Sequence, residues 1–172
     1  MRTPEKIQYL TDTHLHIYEN IKLADQKALV LLGLNPAILS ALYGAKLLIV
    51  SCEKGWETLL SIITFLFLII GLLFAIKVIY PYGENIAREL SGDSGTLTIP
   101  SKIAHEYKAP TEYIDKFHSA EDENLMKELC TLIYVRSYIN DKKYNRLKWS
   151  ILVSGLGWGG SIVLLFLAQL GV

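Results

Sequence analysis

The side chains with chemistry to offer are few and far apart along the chain. Asp25 and Lys27 form one group, Tyr80 and Tyr82 a second, Lys143 and Arg146 a third. Lysine and arginine pair with phosphate oxygens, and a tyrosine ring stacks on a flat base. Together they are the equipment for holding a small phosphorylated, aromatic ligand. The same cations also make a basic collar attracted to anionic lipid headgroups, worth ~1 kcal/mol per cation. On residue types alone the collar is the better reading. Both readings require that three stretches so distant in sequence come together in one layer.

Other constellations are weaker. His14 and His16 stand near Glu19, but residues two apart on a helix point away from each other and cannot chelate together. No metal site is expected. His105 and His118 stand alone, and Arg136 with Glu128 reads as a salt bridge rather than a catalytic pair. Ser91-Gly-Asp-Ser-Gly95 carries the serine string of a trypsin-like protease, but the chain has no room for the β-barrels that such a serine needs. There is no nucleophile triad, P-loop or dinucleotide fingerprint. The expectation is a protein that is not an enzyme, with no catalytic residue and no bound cofactor. Cys52 and Cys130 are isolated and fall on opposite sides of the topology derived below, so neither a disulfide nor a cluster is expected.

The elements that must position these groups are set by segregation. The 172 residues carry 17 basic and 17 acidic side chains, and 51% are hydrophobic. Zero net charge gives no bias toward a nucleic acid polymer. The long apolar runs exclude an ordinary soluble domain. The polar start, MRTPEKIQYLTDTHLH, has no secretory apolar core.

Thr3-Pro4-Glu5 reads as a helix start, with a capping hydroxyl, proline in the first turn and acid beside it. Ile7, Leu10, His14, Ile17, Ile21, Ala24 and Ala28 then follow alternating three- and four-residue spacing, a seam that needs a partner helix. Residues 1–27 are therefore expected to form an amphipathic extension that runs without a break into a first span, 28–52. Residues 53–57 make a short loop, and 58–79 a second span ended by Tyr80-Pro81. Residues 80–148 form a mostly helical polar block, and 149–170 a third span. Each span meets the ~20 residues required to cross a bilayer core.

Within the polar block, an extended piece at Thr96–Ile99 and short helices at Ser101–Tyr107 and Thr111–Phe117 are expected. Ser119 is expected to cap the long helix that leads into the third span. In the first span, Gly33, Ala37, Ala41 and Ala45 share a face, and in the third Gly155 and Gly159, with the neighbouring Gly157, Gly160 and Ser161, form a second. Small residues at that spacing let helices approach closely, so the first and third spans are expected to pack through them. The second, bulky and nearly featureless, is left outside. Asn35-Pro36 reads as a kink in which the amide side chain helps satisfy the backbone, in preference to a substrate site.

Lys22, Lys27, Lys77, Lys142, Lys143, Arg146 and Lys148 lie on one side of these spans, against Lys46 and Lys54 on the other. The positive-inside rule then puts the amino terminus and the 80–148 block in the cytoplasm. The start of span one, the end of span two and the start of span three meet at the inner surface. Asp25, Lys27, Tyr80, Tyr82, Lys143 and Arg146 thereby share a layer. The fold class is all-α integral membrane, with three transmembrane helices and cytosolic helical extensions.

Two stretches carry a family resemblance. Ala24-Asp-Gln-Lys-Ala28 with Leu31, Leu32 and Asn35 is similar to an ADxKA–LL–N signature at the start of a first span. Lys143-Tyr-Asn-Arg-Leu147 is similar to a KYxxL stretch before a last span, and Tyr80-Pro81 also fits. In these residues the chain resembles the Pycsar transmembrane effectors of bacterial anti-phage defence, the PycTM-like proteins. Residues 83–116 are less familiar. The resemblance implies activation by cyclic CMP or cyclic UMP from a companion pyrimidine cyclase. It further implies a homo-oligomer that compromises the inner membrane, killing the infected cell before phage mature. The 80–148 block has no room for a β-roll nucleotide domain, so a ligand site here must be helical. The alternative is a membrane-anchored interaction protein whose cytosolic helices bind a protein partner. A transporter is disfavoured by the scarcity of intramembrane polar residues.

Overall fold

A computed structural model of the chain describes residues 3–45, 47, 55–80 and 109–170. Four helices account for nearly all of them, and no strand occurs among the described residues. They are α1 (Thr3–Gly44), α2 (Gly55–Ile79), α3 (Pro110–Ser119) and α4 (Asp122–Leu170). Lys46, Cys52, Lys54, Tyr82, His105, the GDSG string and the elements expected over 96–99 and 101–107 lie outside the described residues.

α1 begins at Thr3 with Glu5 in its first turn and continues through Pro36 to Gly44 without a helix break. Ala45 N donates to Ala41 O and Leu47 N to Leu42 O, both at 3.0 Å, closing the last turn. The helix therefore ends before Cys52. α2 has Glu57 in its first turn and Lys77 in its last, each complementing the helix dipole. Its final turn is closed by Tyr80 N donating to Ile76 O. α3 has a proline in its first turn, where the missing N–H costs nothing.

The start of α4 differs from expectation. Ser119 does not cap it, because its hydroxyl donates to Lys116 O at the end of α3. The carbonyl of Glu121 instead accepts from Asn124 N and Leu125 N, and Asp122 and Glu123 supply the favourable charge.

The chain divides into two units, one of Met1–Ile21 and Pro81–Asp141, the other of Lys22–Tyr80 and Lys142–Val172. In the second, burial is inverted relative to a water-soluble protein. Leu29, Val30, Leu59, Ile62, Phe65, Leu66, Leu73, Leu152, Leu156, Ile162 and Phe166 are exposed, whereas Asn35, Ser61, Thr64, Ser150, Ser154 and Ser161 are buried. Large apolar side chains pointing outward and small polar ones pointing inward suit a lipid solvent, where packing and hydrogen bonds hold helices together. α1, α2 and α4 are each long and apolar enough to cross a membrane.

The seams follow three-four spacing in all three helices: Ala24, Ala28, Leu31, Asn35 and Leu42 in α1, Ser61, Thr64, Leu68, Gly71, Ala75 and Val78 in α2, and Ser150, Ser154, Gly157, Ser161 and Leu164 in α4. The small-residue faces expected from spacing are used only in part, at Gly157, Gly160 and Ser161 of the third span. Gly33, Gly155 and Gly159 have open space where a Cβ would project, and Ala37 and Ala41 are exposed. The close approach is made by Gly71, against Ser154 and Asn35, by Gly157, against Leu68, and by Gly160, against Thr64. The second span is thus packed into the bundle rather than left outside it. Its stripe of serine, threonine, glycine and alanine was hidden among bulky neighbours.

Candidate functional site

An ion pair ties α1 to α4 where their sequences change from polar to apolar. Lys143 Nζ donates to Asp25 Oδ1 at 2.5 Å, with side-chain exposures of 8% for the lysine and 34% for the aspartate. Both α1 and α4 present these groups because Ala24 and Ala28, on one helix, and Leu147, on the other, share their seams. Ala24, Ala28, Leu31, Ala75, Val78 and Leu147 form a buried cluster, with Leu32, Ile79, Tyr144 and Trp158 packed against it. Small alanines beside Asp25 allow the approach that a lysine ammonium needs to reach the carboxylate.

The remaining collar groups are disposed differently. Arg146 Nη1 donates to Lys77 O at 3.0 Å, tying α4 to the last turn of α2. Lys27 is exposed, as is Tyr80, at 65%, and Tyr82 lies outside the described residues. The structure therefore brings Asp25 and Lys143 together and sets Arg146 beside α2. It leaves Lys27 and Tyr80 facing outward.

About three turns deeper, Asn35 joins all three spans. Its Nδ2 donates to Ser154 Oγ at 2.8 Å and, more weakly, to Leu68 O at 3.4 Å, while Trp158 Nε1 donates to its Oδ1 at 3.0 Å. Ser150 Oγ adds a 2.8 Å bond to Gly71 O. Asn35 is fully buried, so its amide serves neighbouring helices rather than the backbone next to Pro36. Trp158 is thus one of its donors. Ser150 and Ser154 were missed from sequence; their spacing, continued at three and four residues by Gly157 and Ser161, was the available signal.

A second cluster lies in the other unit. Arg136 stands over the Tyr18 ring, 5.6 Å from its centroid, within cation–π range. It does not pair with Glu128, because eight residues along a helix separate the two by about 12 Å. No carboxylate pairs with Arg136 among the described residues. Burial pushes the Arg136 guanidinium below its ordinary range, partly offset by Tyr18. His14 is also pushed down, first by burial and then by the Arg136 charge. His14 Nε2 and Asn140 Oδ1 are shut off from solvent without a hydrogen-bond partner, each at a cost of about 1–3 kcal/mol. His16 is exposed, whereas His14 is half-buried.

A family profile described as Pycsar effector protein domain matches residues 9–170. The chain belongs to the Pycsar effector family. No curated protein and no solved structure matches it. Family membership places this Pycsar effector in a membrane, in antiviral defence, and in functional association with a cyclase system. The two stretches that carry the family likeness meet physically. Asp25 pairs with Lys143, and Ala24, Ala28, Leu31, Leu32, Tyr144 and Leu147 pack together.

Proposed function

We propose that this Pycsar effector is activated by cyclic CMP or cyclic UMP made by a companion cyclase, and that it then disrupts the bacterial inner membrane so that the infected cell dies. It works as a homo-oligomer among membrane lipids, with its amino terminus in the cytoplasm, the orientation favoured by its clustered Lys and Arg. The observation that supports this reading is the Asp25–Lys143 pair. It joins two helices, each unbroken from polar to apolar sequence, at the point where a change in one part would alter helix packing in the other. A ligand drives such a change only by binding one arrangement better than another. On this reading Asp25 and Lys143 transmit the signal, while Lys27, Tyr80 and Arg146 with Tyr82 form the surrounding collar.

The test is thermal unfolding of the purified protein with each nucleotide, together with dye uptake by cells that express the chain. Stabilisation by cyclic CMP or cyclic UMP but not cyclic AMP, and dye uptake only when a pyrimidine cyclase is co-expressed, are the expected results. Indifference to both pyrimidine nucleotides would overturn the ligand assignment and favour a membrane-anchored partner-binding protein.

A further inference from the structure

We infer that the ligand contact is made by Arg136, Tyr18, His14 and Asn140, a phosphate-and-base site on the paired helices α1 and α4, and not by the collar at the membrane junction. The inference rests on the cyclic-nucleotide reading above and names the site for it. At the junction the most enclosed cation is already matched, since Lys143 is held by Asp25. Arg136 is the converse case: half-buried, without a carboxylate among the described residues, and placed over an aromatic ring at cation–π distance. A guanidinium lying over a ring keeps its edge N–H groups for a second acceptor, the geometry in which arginine recognises phosphate.

The polar atoms nearby specify more than an anion. His14 lies one turn before Tyr18 on α1, and Asn140 one turn after Arg136 on α4, so each shares a helix face with a member of the cation–π pair. His14 Nε2 and Asn140 Oδ1 have no partner. An inorganic anion would satisfy the guanidinium and, with a proton on Nε2, the imidazole. It would leave the Asn140 oxygen, an acceptor, still unmatched. A nucleotide supplies both halves: phosphodiester oxygens for Arg136 and His14, and a hydroxyl or amino hydrogen for Asn140. Tyr18 is 51% exposed, which leaves ring surface for a planar base and a route in from solvent. Side-chain movement on entry uncovers the two enclosed atoms.

The test is calorimetric titration of the full chain in lipid nanodiscs with cyclic CMP and with cyclic UMP, helicity and elution profile being checked for each variant. Arg136→Ala weakens binding of the active nucleotide about 10- to 100-fold, the range for a charged hydrogen-bond partner. Tyr18→Ala weakens it about tenfold through lost stacking, while Tyr18→Phe binds within about twofold of the wild-type chain, as such stacking requires only the ring. Because Tyr18 is half exposed, its alanine variant keeps the test decisive even where Arg136→Ala does not fold. Wild-type binding with Tyr18→Ala unchanged in affinity, whatever its melting temperature, would make the cluster merely structural and overturn the site while leaving the nucleotide reading intact. A comparable loss in Lys27→Ala instead would return the contact to the collar. Absence of wild-type binding to either nucleotide would overturn the functional reading itself.

Discussion

Cutting the Asp25–Lys143 pair from either side should give unequal results, and the inequality follows from exposure. Asp25→Ala leaves an ammonium whose side chain is 8% exposed, whereas Lys143→Met leaves a carboxylate that is 34% exposed. The first strands a charge that water does not reach, with a penalty of about 3–5 kcal/mol. The second leaves an anion that rehydrates, and solvent screening reduces its cost to about 1–2 kcal/mol. At roughly 2–4 °C per kcal/mol for a chain of this size, Tm falls by about 6–20 °C for Asp25→Ala and about 2–8 °C for Lys143→Met. The double variant Asp25→Ala/Lys143→Met should melt above Asp25→Ala alone, because the stranded ammonium is gone. Thermal unfolding in one detergent, monitored by circular dichroism, reads all three. A Lys143→Met penalty equal to or larger than that of Asp25→Ala would refute the reasoning. So would strict additivity in the double variant.

Asn35→Ala removes two well-formed interhelical bonds, those to Ser154 and Trp158, and should cost about 1–3 kcal/mol at the strengths measured between membrane helices; unfolding by added SDS would show it. Gly157→Ala projects a methyl to 2.8 Å from Leu68 Cδ2 and 3.2 Å from the Leu68 backbone nitrogen, an overpacking worth about 1–3 kcal/mol. Gly155→Ala, with open space around it, should be neutral or stabilising by up to ~1 kcal/mol, and the two variants differ in Tm accordingly. The depressed pKa of His14 means that the unfolded chain binds the extra proton first as pH drops. Stability is therefore full above about pH 6.5, the unfolded value, and is lost as pH falls toward the lower folded value. His14→Gln should flatten that part of a Tm-against-pH curve measured between pH 7.5 and 5.

Family membership and the helical, membrane-spanning class were legible because they rest on local properties. Apolar run length, the Lys and Arg clusters and the two motif stretches need no knowledge of what faces them. The seam was also legible from Leu10 to Ala28, with Ile7 at its start exposed, since three-four periodicity marks one side of any helix. Its continuation through Leu31, Asn35 and Leu42 obeys the same rule inside the membrane. The collar was only half legible. Topology brought Asp25 near Lys143 in depth, but their mutual neutralisation depends on the rotation of each helix about its own axis. The Arg136–Tyr18 contact depends on such rotation as well, and reading Arg136 with Glu128 overlooked the rise of two turns between them.

The glycines show where sequence stops and tertiary structure begins. Gly155, Gly157, Gly159 and Gly160 share one short stretch of α4 and nearly identical local preferences. By itself the sequence determined that this stretch is helical, apolar and able to accept a close neighbour on some face. Only the tertiary structure decided that the neighbour is α2, with Leu68 over Gly157 and Thr64 over Gly160. The physical reason is that a helix rotated by one residue turns by about 100°, so the buried face is selected by the sum of all contacts along the bundle. Asn35, Ser150 and Ser154 supply the directional part of that sum, because a buried polar group tolerates only the rotation that completes its hydrogen bonds.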